Sequence, residues 1–174
     1  LHTAGWQPNP RLPLTNNALA RVWLPGHRFT NGQGQMLQLW WHVLPAAPSI
    51  EADTEFWGRA GQLTVEDTST LMLTPTDCLT RVCLTAARHT PIKLADAARL
   101  INGNIIDWPR LTATAQKYRL GLPVAHGLSA LTEIAISPIP PEVGHELRQI
   151  PAPYSQRQAH RAFSVPPTHR RPAH

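Results

Sequence analysis

The sequence predicts an α+β fold: short strands including a hairpin, then an all-α helical bundle, then a disordered basic tail. Three observations carry this. Apolar and polar residues alternate at period two around residues 36–43, beside an Asn-Gly turn signal. From Pro75 the apolar residues recur at helical spacing. From Arg148 that period stops and arginine and proline take over. The boundaries that follow are 1–74, 75–147 and 148–174.

The first 25 residues hold Pro8, Pro10, Pro13 and Pro25, which break any long element; a short helix fits only around Asn17–Leu24. His27–Thr30 and Met36–Val43 read as the arms of a hairpin around Asn31-Gly32-Gln33-Gly34, because Asn-Gly favours positive φ at both central turn positions. In the second arm Leu37, Leu39 and Trp41 share one face, and Gln38, Trp40 and His42 the other. Asp53–Ala60 reads as a helix capped by Asp53, with Phe56 and Trp57 inward. Gly61–Val65 and Leu71–Leu73 read as short strands about the polar turn Glu66–Thr70.

The helical region follows. Leu79, Val82, Cys83 and Ala86 make one stripe, with Thr76 as cap. Leu94, Ala97, Ala98 and Ile101 make the next, closed by Asn102-Gly103-Asn104. Asp107 caps a third helix with Pro109 in its first turn and Leu111, Ala115 and Tyr118 on one face. Gly121 separates it from a fourth, with Val124, Leu128, Leu131 and Ala135 inward. Pro138, Pro140 and Pro141 open a last helix ending at Leu147. Short connections favour antiparallel packing. Residues 148–174 contain five prolines and no acid, with too little apolar surface to offset chain entropy.

Charge excludes little by its sum and more by its placement. The 174 residues carry 16 Lys+Arg against 11 Asp+Glu, a net +5. Arg148, Arg157, Arg161, Arg170 and Arg171 account for all of it, so the body is neutral. A basic pI therefore does not argue for a nucleic-acid-binding fold. The tail could make weak polyanion contacts through its arginines. Cys78 and Cys83 lie on one helix, badly placed for a bridge, so a reduced, cytoplasmic chain is expected. No apolar run reaches the ~18 residues of a membrane span, so no membrane contact is expected. The first residue is Leu1, which leads us to expect a processed product or a partial reading frame.

Leu37-Gln38-Leu39-Trp40-Trp41-His42, Phe56-Trp57, Thr74-Pro75-Thr76-Asp77, Ala86-Ala87-Arg88-His89, Leu94-Ala95-Asp96 and Ile106-Asp107-Trp108 occur in an order and spacing that resembles a bacterial nucleotidyltransferase family with the polymerase-beta-type core. The resemblance runs from Gly5 to about Leu147. It implies that residues 1–74 are the remnant of a nucleotide-binding α/β core and that complete relatives transfer a nucleotidyl group from an NTP to a hydroxyl with Mg²⁺. Such a core presents a Gly-Ser turn, an Asp-x-Asp pair and a third acid on a later strand. Hard carboxylate oxygens hold two ions, which neutralise charge on the transferred phosphoryl group. Here no Gly-Ser or Asp-x-Asp occurs, and Gln38 stands at the third acid. The resemblance places that missing part N-terminal to Leu1. An amide brings no charge, so no residue is assigned as catalytic or as a metal ligand, and Mg²⁺ and NTP are expected of complete relatives only.

Gln38, His42 and Arg88 are the candidates for nucleotide contact: the first two share a strand face, and Arg88 could reach a phosphate. The simpler readings are a polar strand face for Gln38 and His42, and helix C-terminal capping for Arg88 and His89. Asp53-Thr54-Glu55 has the wrong spacing for two carboxylates to converge on a helix. Asp96 should bond a neighbouring helix. The cysteines read as core. The expected function is that of a nucleotidyltransferase-family protein inactive as this chain; the alternative is a non-catalytic binding or scaffold protein of the same descent. A strand that loses its neighbours exposes an unpaired edge, so partner-dependent or aggregation-prone behaviour is expected, and the sequence does not identify a partner chain.

Overall fold

A computed structural model of the chain describes residues 2–8, 26–44, 47–85, 91–132, 139–154 and 156–158. The expected helix at Asn17–Leu24, the Arg88-His89 pair and Ala135 lie outside the described residues. The fold is α+β, and the chain divides into two compact units, Leu1–Ala60 and Gly61–His174. The period change at Pro75 falls inside the second unit.

The first unit opens with a 3₁₀ turn at His2–Ala4, followed by β1 (Gln7–Pro8), β2 (Gly26–Thr30), β3 (Met36–Trp40) and α1 (Ile50–Gly58). The strands form an antiparallel sheet in the order β1-β2-β3. Its β2–β3 register pairs Gly26 with Trp40, Arg28 with Gln38 and Thr30 with Met36, and β1 adds Gln7 opposite Thr30.

The hairpin is where expected, but its turn is built differently. Positive φ falls at Gly34 (+76°), not at Asn31 or Gly32. The Gly34 N–H donates to the Asn31 carbonyl at 3.0 Å and the Asn31 N–H to that of Gln35 at 3.1 Å. The Asn31 side-chain oxygen then accepts from the N–H groups of Gln33 (3.1 Å) and Gln35 (2.9 Å). Asn31 thus organises the loop with its side chain, and glycine is needed only where the chain turns back into β3.

β3 stops at Trp40, three residues short of the expected end, so the alternation that would put His42 beside Gln38 is broken. α1 starts earlier than expected. Ser49, not Asp53, is its N-cap, accepting from the Ala52 N–H at 3.3 Å. Phe56 is fully buried as expected; Trp57 is 44% exposed, because the two are adjacent and one helix face cannot bury both.

The second unit opens with a two-stranded hairpin, β4 (Gly61–Val65) and β5 (Thr68–Met72), closed by Glu66-Asp67 with φ +53° at Glu66. β5 begins earlier than the sequence suggests, and the whole hairpin is exposed, including Val65, Leu71 and Met72. The helices follow: α2 (Pro75–Thr85), α3 (Pro91–Asn102), α4 (Trp108–Lys117), α5 (Gly121–Leu131) and α6 (Pro141–Gln149). α5 is central, packing against α2, α3, α4 and α6.

The expected stripes form this core: Leu79, Cys83, Ala97, Ala98, Ile101, Leu111, Ala115, Val124, Leu128, Leu131 and Leu147 are buried. Val82 and Tyr118 are only half-buried, Tyr118 because it is the C-cap of α4. Asp107 caps α4 as expected, accepting from the Arg110 N–H at 3.0 Å. The α2 cap is Thr74, not Thr76: the Thr74 hydroxyl receives the Asp77 N–H at 3.3 Å, and Pro75 fills the first helical position, where no N–H is needed. α3 closes with Asn104 at φ +50°. Asp96 reaches Arg99 on its own helix at 3.6 Å rather than a neighbour, and both are exposed. α6 takes in Arg148, so the described elements continue past the expected tail boundary. Arg157 then hydrogen-bonds the Ala152 carbonyl and lies over the Tyr154 ring. Residues 159–174 are outside the described set.

Both thiols are free, and Cys83 is buried. Burial pushes its pKa from 9.0 up to about 12. The folded chain therefore keeps a proton that the unfolded chain loses. That stabilisation is complete below pH 9.0 and disappears as pH rises toward about 12. Urea titrations across this window should show a fall in stability that Cys83→Ala reduces. Equal alkaline losses in the two proteins would contradict it.

Candidate functional site

The β1–β2–β3 sheet has two unlike faces, set by its register. Residues directly opposite in an antiparallel pair project to the same side. His27 and Phe29 are buried and lie opposite the half-buried Leu39 and Leu37. Their rings pack edge to face, and the His27 Nε2 is buried without a hydrogen-bond partner among the described residues.

The other face carries Gln7, Arg28, Thr30, Met36, Gln38 and Trp40. Gln7, Arg28, Met36 and Gln38 are exposed, Thr30 and Trp40 half-buried. Gly26 faces Trp40, and a Cβ on Gly26 would run into the Leu39 carbonyl and lie 3.0 Å from the Trp40 Cα. The glycine is required by this close pairing, and it leaves no side chain opposite the indole. Among the described residues of these strands none on this face is acidic, and the one formal charge is that of Arg28, directly across from Gln38. Magnesium wants carboxylate and carbonyl oxygens in a negative field. An amide facing a guanidinium does not fit it. Among the described residues no group of three or more His, Cys, Asp or Glu could share an ion.

His42 leaves this face. Its Nδ1 lies 2.7 Å from Asp53 Oδ2, and Asp53 Oδ1 accepts the Val43 N–H at 2.8 Å. A carboxylate that accepts at both oxygens assigns the proton to Nδ1 of the imidazole. The pair ties the chain leaving β3 to α1, with both side chains largely out of solvent. Gln38 and His42 are therefore not brought together, and Asp53 has a tertiary role rather than a capping one. Arg88 is outside the described residues.

A second polar cluster joins the N-terminal ends of α2 and α4. Arg110 Nη2 donates to Thr74 Oγ1 at 2.7 Å, and that hydroxyl donates to Asp77 Oδ2 at 2.7 Å. The Asp77 side chain is 1% exposed and its other oxygen lies 4.0 Å from the same guanidinium nitrogen. The Asp107 N–H donates to Thr76 Oγ1 at 3.0 Å. The arrangement locks two helices and aligns the cap of each. Sequence reasoning missed it, although Thr74-Pro75-Thr76-Asp77 has the spacing of a capping box. It also missed Arg28, which a hairpin register counted from the turn would have placed opposite Gln38.

Among the described residues no helix is long and apolar enough to cross a membrane. Comparison with curated proteins and with solved structures returns no match. A family described as uncharacterised nucleotidyltransferase matches residues 1–135, well over half of the chain. On that match the chain belongs to the nucleotidyltransferase family.

Proposed function

We propose that this chain binds a nucleotide and does not itself transfer one, whereas relatives that hold the carboxylates move a nucleotidyl group from an NTP to a hydroxyl with Mg²⁺. The observation that carries the reading is Gln38: the strand position that the resemblance gives to a carboxylate holds an exposed amide, with Arg28 opposite it. Two-ion phosphoryl transfer depends on carboxylates to hold the metals against the phosphate charge. A guanidinium at that place opposes the ions instead of holding them. A non-catalytic binding or scaffold role is the neighbouring reading, supported by the same residue. A cytoplasmic location accords with both, since its two cysteines are free thiols.

The test is incorporation of label from α-labelled NTPs by the purified 174-residue chain in Mg²⁺. No incorporation above a protein-free control is expected. Mg²⁺-dependent labelling of any acceptor would overturn the reading of Gln38.

A further inference from the structure

We propose that Asn31 is a site of self-modification: the Gly32 main-chain nitrogen attacks the Asn31 side-chain amide, expels ammonia and leaves an aspartate or isoaspartate in the β2–β3 turn. The chain has a second Asn-Gly pair, Asn102-Gly103, which the fold protects.

The reaction needs a nucleophile that can be freed of its proton. A main-chain N–H already bonded to a carbonyl holds that proton more firmly than one facing water. The Gly32 N–H donates no hydrogen bond among the described residues, and Gly32 is exposed. It also has no side chain to crowd the nitrogen. The Gly103 N–H, by contrast, donates to the Arg99 carbonyl at 3.0 Å, and Asn102 is the last residue of α3. Attack there requires the end of the helix to open first.

The electrophile is prepared as well. Asn31 Oδ1 accepts from the main-chain N–H groups of Gln33 at 3.1 Å and Gln35 at 2.9 Å. Attack at the amide carbon builds negative charge on that oxygen, and two fixed donors aimed at it stabilise the tetrahedral adduct as an oxyanion hole does. The nitrogen that must leave, Nδ2, donates to Gln35 Oε1 at 2.7 Å in an exposed loop, so ammonia escapes directly to water.

Hydroxide takes the Gly32 proton, the nitrogen bonds to Asn31 Cγ, and Oδ1 carries the charge. Collapse of the adduct breaks the Cγ–Nδ2 bond, and the amine leaves as ammonia with a proton from water. The product is a cyclic imide across Asn31 and Gly32, which water then opens. Opening at Cγ leaves aspartate. Opening at the main-chain carbon leaves isoaspartate, whose backbone runs through the former side chain and is longer by a methylene. That added length falls in the loop that sets the β2–β3 register, so it loosens the pairing of Arg28 with Gln38.

Timed incubation of the full chain at neutral and mildly alkaline pH tests this. Peptide mapping by mass spectrometry follows amide-to-acid conversion at each asparagine, and isoaspartyl methyltransferase labelling separates the two products. In native buffer Asn31 should convert about tenfold or more faster than Asn102, and the faster so as pH rises. In guanidinium chloride the two Asn-Gly pairs should react at similar rates. Gly32→Ala should slow conversion at residue 31 about tenfold and leave Asn102 unchanged. An added Cβ there meets nothing within 4 Å and the φ of Gly32 is not positive, so the variant should melt like the parent. Equal native rates at the two asparagines would overturn the inference. So would a rate at Asn31 that rises on unfolding as much as that at Asn102, or a folded Gly32→Ala protein that converts as fast as the parent.

Discussion

Gly127→Ala is expected to destabilise the second unit by about 3 kcal/mol, the upper end of the usual cost of overpacking a core. Gly127 lies on α5 where that helix meets α2, and an added Cβ would sit 2.5 Å from the Cys83 Cα and 2.6 Å from its Cβ. Those are main-chain and first side-chain atoms, so no rotamer change relieves the clash. The helices would have to part, and contacts along the α2–α5 seam would loosen with them. Urea unfolding followed by circular dichroism measures the effect as a lower midpoint at unchanged slope. Gly58→Ala is the control. Nothing lies within 4 Å of its added Cβ at the end of α1, so it should be neutral or slightly stabilising through helix propensity. Equal stability of Gly127→Ala and the parent would mean that α5 and α2 do not approach as described.

Asp77→Ala should cost about 3 kcal/mol, the lower end of the range for breaking a buried charge pair. The lower end applies because Arg110 is 30% exposed and can rehydrate in part. Removing the carboxylate takes the acceptor from the Thr74 hydroxyl and weakens the α2 cap. It also leaves the Arg110 guanidinium without its nearby countercharge. Asp77→Asn keeps an acceptor for Thr74 and should lose less. If chemical denaturation put Asp77→Ala within about 0.5 kcal/mol of the parent, as for an ordinary surface substitution, the cluster would have no part in stability.

The helical half was legible because its physics is local. A stripe such as Leu79 and Cys83, or Ala97, Ala98 and Ile101, needs only the helical period to declare its buried side. Asp107 was readable as a cap for the same reason, since its acceptor serves an N–H three residues on. Thr74 and Thr76 were confused because both precede the stripe. What separates them is Asp107, which takes the Thr76 hydroxyl from 31 residues away and leaves Thr74 to cap.

The candidate site was half legible. Gln38 was found as a departure from a resembled motif, but its cross-strand neighbour depends on the turn. A five-residue loop held by the Asn31 side chain, with positive φ at Gly34, fixes Arg28 opposite Gln38; a slip of one residue would reverse the faces. His42 was misplaced because alternation cannot say where a strand ends. Its bond to Asp53 spans 11 residues and carries no periodic signal.

The two glycines of α5 have a consequence for how the second unit comes apart. Gly127 abuts Cys83 of α2, and Gly121 abuts Leu147 of α6 together with Ile150, each at distances that leave no room for a methyl group. A helix held at backbone contact on two sides cannot be peeled away while its neighbours stay in place. α2, α5 and α6 are therefore expected to melt as one cooperative unit, which coincident thermal transitions by two spectroscopic probes would check.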